Sequence, residues 1–209
     1  MSPARRHSSP TVPSRRTLLR GGLAFGAAAS TAAVTGVPAS ARSGSPLGAT
    51  YPGTEWIPAH SSNYTSASRP AQYPVRFVIV HVTQGSYAGT LQHFRNPKAK
   101  VSAHYVIRSG DGHIAQTVRE KDVGWHAGNW DYNLRSIGIE HEGLVDDPKW
   151  FTDAMYKSSA ALTAAVCDRY AIPKTRQHII GHNEVPGADH TDPGKFWDWT
   201  RYMRLIAAA

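Results

Sequence analysis

Cysteine is almost absent from this chain: among 209 residues there is one, Cys167. No intramolecular disulfide is possible, which excludes the disulfide-framework class of small exported domains. Cys167 lies in an apolar helical pattern and reads as a small buried hydrophobe rather than a reactive thiol. Long apolar runs are also lacking. The weakly hydrophobic stretch from about residue 21 to 37 is diluted by Ala, Gly, Ser and Thr, too short and too polar for a stable membrane span. Acidic residues are missing altogether from the first 41 positions, which hold Arg5, Arg6, Arg15, Arg16 and Arg20.

That one-sided charge identifies a leader. Arg15-Arg16 precedes the weakly hydrophobic stretch, and the small residues Ala39-Ser40-Ala41 follow it as a cleavage pattern. The segment resembles a twin-arginine export signal, used by chains that fold before crossing the membrane. Residues 1–41 are therefore expected to be removed, leaving no membrane anchor and a secreted, extracytoplasmic product. The formal charge of +8 shrinks with them. Of 23 basic residues five lie in the leader, so 18 remain against 15 acidic ones, an excess of three. A nucleic-acid partner loses its main support.

Residues 42–74, rich in Ser, Gly, Pro and Ala, read as an N-terminal extension lying along the domain. Residues 75–209 read as the main folded domain. Val75–Val82 is a nearly continuous β-branched run, the pattern of a strand buried on both faces, with His81 near its C-terminal end. A short helix is predicted over Thr90–Arg95, stopped by Pro97. Two strands, Ser102–Ser109 and His113–Arg119, flank the turn Gly110-Asp111-Gly112. Ser136–Glu142 is another strand, with Ile137 and Ile139 on one face and Gly138, Glu140 and Glu142 on the other. Thr152 to Tyr170 is the clearest helix, Ile179–His182 a short strand, and Pro193–Leu205 a closing amphipathic helix. Strands interleaved with helices predict a single α/β domain with a central mixed β-sheet flanked by helices.

Eleven histidines are present, and abundance alone argues for nothing. The pair His178 and His182 has the i,i+4 spacing of helical zinc sites, but the segment is strand-like. On a strand the two would lie about 13 Å apart at ~3.3 Å per residue, too far to share a metal. A better set is spread along the chain: His81 at a strand end, His182 opening a loop, and Asp192 ten residues later. Two imidazoles and a carboxylate leave the fourth tetrahedral position open, as catalytic zinc requires.

Six segments then occur in order: Val80–Gly85, Ser102–Ile107, Gly124–Asn129, Ser136–Gly143, Gly181–Glu184 and Thr191–Gly194. Together they resemble the type-2 family of zinc N-acetylmuramoyl-L-alanine amidases, similar in fold to peptidoglycan recognition proteins. The resemblance covers about residues 55–200. It implies Zn2+ on His81, His182 and Asp192, and Glu140 as the catalytic acid/base with Glu142 in support. It also implies a substrate groove lined by Trp125, His126 and Asn129. One position departs from the family: His190 stands where relatives commonly carry a lysine that stabilises the developing oxyanion, and it is the candidate for that catalytic role. The implied partner is peptidoglycan or muropeptides, met by a monomer. A binding module without turnover and a zinc peptidase cutting within the stem peptide are the alternatives. Retention of all three ligands favours hydrolysis over mere binding.

Overall fold

A computed structural model describes residues 50–209; the expected leader and residues 42–49 lie outside the described residues. In chain order the elements are β1 (Thr54–Trp56), β2 (Tyr64–Thr65), β3 (Phe77–Val82), α1 (Tyr87–Arg95), β4 (Tyr105–Ile107) and β5 (Ile114–Gln116). There follow β6 (Val123–Gly124), α2 (Trp130–Arg135), β7 (Ser136–His141), α3 (Asp153–Tyr170), β8 (Ile179–Gly181) and α4 (Trp199–Ala208). Six strands form one sheet in the order β1-β5-β4-β7-β3-β8, while β2 and β6 pair separately. The β4–β5 pair is antiparallel and the other pairs of the large sheet are parallel, so the sheet is mixed as expected.

β3 runs between β7 and β8, which explains its unbroken apolar sequence: it has two strand neighbours and both faces covered. Alternation sorts its side chains. Val78 and Val80, with Ile137 and Ile139 of β7 and Ile179 of β8, point into the main core beneath α3 and α4. On the other face, α1 packs Leu91 and Phe94 over Val106 and Ala115. A smaller cluster of Ile79, Ala127, Ile180 and Val185 lies beyond. The cleft opens on this second, incompletely covered face.

Several boundaries differ from expectation. α1 starts at Tyr87 because Ser86 Oγ accepts a capping bond from Gly89 N at 3.1 Å. The β4–β5 hairpin is shorter than the two predicted strands, as only three residues on each side pair. α3 matches, with Thr152 Oγ1 capping Met155 N at 3.2 Å. The last helix begins six residues later than predicted. Gly194 has a φ of +81°, which no helix accommodates. Trp197 must also reach the core, where it packs against His141 and Tyr156, so the helix forms only after Asp198 caps Arg201 N at 2.9 Å. The stretch before residue 75 is woven into the domain rather than laid upon it. β1 adds an edge strand, and the buried Arg69 guanidinium donates to the carbonyls of Glu120, Asn133, Leu134 and Ser136.

Candidate active site

The site begins with a register. His81 of β3 and Glu140 of β7 are partners across a parallel pair, so both side chains emerge on the same face of the sheet, neighbours across the ~4.8 Å strand spacing. His182 is the first residue past β8, the strand on the other side of β3. Three adjacent strand ends therefore aim Glu140, His81 and His182 into one cleft of about 780 Å³. Asp192 arrives on the following loop. Its carboxylate accepts a bond from Val82 N at 3.2 Å, which ties that loop to the end of β3. The loop is held further by Asn183 N donating to Asp192 O, and by Glu184 accepting from Gly181 N at 2.6 Å.

The donor atoms converge. His81 Nδ1 lies 3.4 Å from one oxygen of Asp192, and His182 Nδ1 lies 3.2 Å from the other. One ligand atom from each of His81, His182 and Asp192 falls within 4.8 Å of the others. Two imidazoles and a carboxylate match what zinc accepts. Burial pushes His81 down to about 4, against the opposing pull of the negative charge on Asp192. Burial raises Asp192, but the imidazoles of His182 and His81 beside it outweigh that and hold the carboxyl well below the usual range. The residues present thus fit a divalent cation, and His178 has no part in it. That ring stacks on Phe77 and contacts Arg76 O from outside the cleft.

Glu140 is half-buried, and its Oε2 is shut off from solvent without a hydrogen-bond partner. Burial, reinforced by the negative charge of Asp192, pushes it up to about 8. An orphaned carboxylate oxygen costs stability unless a ligand satisfies it, so Glu140 is placed for a reacting molecule. Glu142 is spent on the scaffold, accepting from Tyr87 N at 2.8 Å and Ser109 N at 2.9 Å. It seats the start of α1 beside the cleft.

The expected groove residues separate. Trp125 lines the cleft, its indole N–H donating to Thr65 Oγ1 at 3.0 Å. His126 is turned inward: it forms part of the cleft floor, but its two ring nitrogens face His81 and Ser136 rather than a substrate. Asn129 is not among the lining residues. It caps α2 by accepting from Tyr132 N at 3.3 Å and donates to Pro186 O at 2.9 Å, clipping α2 to the loop after His182. His190 does line the cleft, stacked on His182 with ring centres 4.1 Å apart and its Nδ1 3.8 Å from Asp192. Sequence reasoning missed Lys100 and Trp130, both on the cleft wall. Trp130 is 53% exposed, an indole on the polar helix α2 with no core to fill, and that mismatch was the available signal.

Comparison with known proteins agrees with this architecture. The family described as Amidase_2, N-acetylmuramoyl-L-alanine amidase, matches residues 71–195. The chain is 39% identical over 168 residues to N-acetylmuramoyl-L-alanine amidase A of Achromobacter lyticus, covering 72% of this chain and 92% of that one. It is 40% identical over 114 residues to the 1,6-anhydro-N-acetylmuramyl-L-alanine amidase AmpD of Escherichia coli K12, covering 52% of this chain and 60% of the relative. A crystal structure of selenomethionine AmpD superimposes with a TM-score of 0.62 at 30% identity, covering 75% of this chain and 96% of that one.

Proposed function

The chain belongs to the N-acetylmuramoyl-L-alanine amidase family, and from that premise we propose that it is a zinc enzyme cutting the amide bond between N-acetylmuramic acid and L-alanine in peptidoglycan. His81, His182 and Asp192 would hold the metal. When bound, zinc supplies Lewis-acid charge that polarises the lactyl carbonyl and makes a water more acidic. The observation that carries the reading is Glu140: a carboxylate with one oxygen buried and unsatisfied, in register with His81 and facing the same cleft.

In its ionised form Glu140 takes a proton from the attacking water as the new C–O bond forms. It returns that proton to the nitrogen of L-alanine as the C–N bond breaks, so one group serves as base and then acid. A pKa raised by burial and by Asp192 suits both halves of this exchange. His190 sits beside the ligands and would donate to the oxygen on which negative charge develops. Trp125, Trp130 and Lys100 offer two indole faces and one cation to a substrate made of sugar rings and a carboxylate-bearing peptide.

The test is mass spectrometry of muropeptides digested with zinc-loaded and chelator-treated protein. Free stem peptide beginning at L-alanine, released only with zinc, is the expected product. A fragment cut within the stem would overturn the bond assignment, and no product at all would overturn hydrolysis. Export by the Arg15-Arg16 segment is a separate proposal, supported by the leader's composition and tested by fractionating cells that carry Arg15→Lys with Arg16→Lys.

A further inference from the structure

Gly138 leaves a gap on the cleft face of β7, and the ring of His126 fills it. A Cβ at position 138 would lie 2.6 Å from both Cγ and Nδ1 of His126. So lodged, His126 reaches two partners: its Nδ1 is 3.0 Å from His81 Nε2, and its Nε2 is 3.3 Å from Ser136 Oγ. Ser136 Oγ in turn lies 2.6 Å from the carbonyl oxygen of Tyr132.

The far end of this chain decides the near end. A carbonyl oxygen only accepts, so the single hydroxyl proton of Ser136 goes to Tyr132. Ser136 Oγ is then an acceptor toward His126, whose one imidazole proton belongs on Nε2. His126 Nδ1 keeps its lone pair and accepts from His81, which must donate Nε2–H. His81 Nδ1 is left unprotonated, and that is the atom facing Asp192 and His182. His182 has no comparable support, since its Nε2 is buried without a partner.

We infer that His126 is a positioning residue: the relay from Tyr132 through Ser136 and His126 sets the tautomer of His81 and presents Nδ1 as a lone pair before a metal arrives. The inference rests on the metal reading of the His81, His182 and Asp192 cluster. It gives the buried histidine after Trp125 a role other than substrate contact, and it explains why position 138 carries no side chain.

The tests read tautomer and metal affinity rather than turnover. Nitrogen-15 NMR of the metal-free wild type should find the His81 ring proton on Nε2; a proton on Nδ1 overturns the inference. His126→Phe, which keeps a ring but removes the acceptor, should weaken zinc binding about 10–100-fold in chelator competition. His126→Asn, whose carbonyl can stand near Nδ1, should stay within about threefold of wild type. Gly138→Ala should expel the ring and reproduce the phenylalanine loss. Should either variant fail to fold, Ser136→Ala and the wild-type spectrum still decide the matter, because Ser136→Ala should leave His81 in a mixture of tautomers. Equal zinc affinity in wild type and His126→Phe overturns the inference. A wild type that binds no zinc instead overturns the functional reading on which it stands.

Discussion

Glu140 and His141 are consecutive on β7 and lie on opposite faces of one sheet, Glu140 half-buried and His141 fully buried. His141 is satisfied at both nitrogens. Its Nδ1–H donates to His81 O at 2.8 Å, and its Nε2 contacts Ser159 Oγ at 2.6 Å. The network continues to Tyr202 and Thr163 beneath α3 and α4. Glu140 keeps an oxygen with no partner at all. Burial moves the two groups in opposite directions, His141 down to about 3 and Glu140 up to about 8, because each resists being charged away from water. The two completed bonds of His141 suit a scaffold residue, whereas Glu140 keeps an oxygen free on the cleft face.

Substitutions on the two faces should therefore fail in different ways. The largest effect is expected for Glu140→Gln, which should lower kcat by about 10²–10⁴-fold, the range for a lost acid/base group. Its zinc content should not change; a variant that loses zinc would make Glu140 a ligand and erase the distinction drawn here. Asp192→Ala comes next and should weaken zinc by more than the ~10–100-fold cost of an outer partner. Chelator competition checks it, and unchanged affinity would remove Asp192 from the ligand set.

On the scaffold face, His141→Phe should cost about 1–3 kcal/mol by removing the ring's bonds to Ser159 Oγ and the His81 carbonyl. Urea denaturation would measure this, with kcat falling far less than in Glu140→Gln. If His141→Phe abolished turnover at unchanged stability, the two faces would not be separable.

A pH experiment on metal-free protein sharpens the contrast further. Glu140 titrates near 4.5 in an unfolded chain and near 8 in the folded one. Between those values the folded state holds a proton the unfolded state has lost, so stability falls as pH rises through the window. Glu140→Gln removes this effect. Its advantage over wild type should be near zero below pH 4.5 and grow to on the order of 4 kcal/mol by pH 8, readable from paired thermal melts. The smallest effect is assigned to His190→Lys. A histidine's charge varies near neutrality where a lysine's does not, so the pH profile of kcat/KM should flatten with little change at its maximum.

Much of this was legible from residue order because it rests on local rules. The alternation Ile137-Gly138-Ile139-Glu140 placed Glu140 opposite the core, and the β-branched run ending at His81 announced a central strand. Motif order brought His81, His182 and Asp192 together although 111 positions separate the first from the last. The rejection of His178 also followed from strand geometry alone. Less legible were the residues whose contacts join distant segments. His126 and Asn129 sit in a loop whose composition suits a groove, yet one ring is buried by the absence of a side chain at Gly138 and the other side chain is claimed by the Pro186 carbonyl. The last helix was misplaced because Trp197, not local propensity, decides where the chain stops entering the core.

Residue pattern by itself determined the central strand, the inward and outward faces of β7, and a candidate ligand set of two histidines and an aspartate, since periodicity and ligand chemistry are properties of the residues themselves. Tertiary structure alone decided which nitrogen of His81 faces Asp192, that Glu140 lacks a partner, and that His126 stands behind the site rather than in front of it. Hydrogen-bond polarity and desolvation belong to three-dimensional neighbourhoods, and no spacing along the chain encodes them.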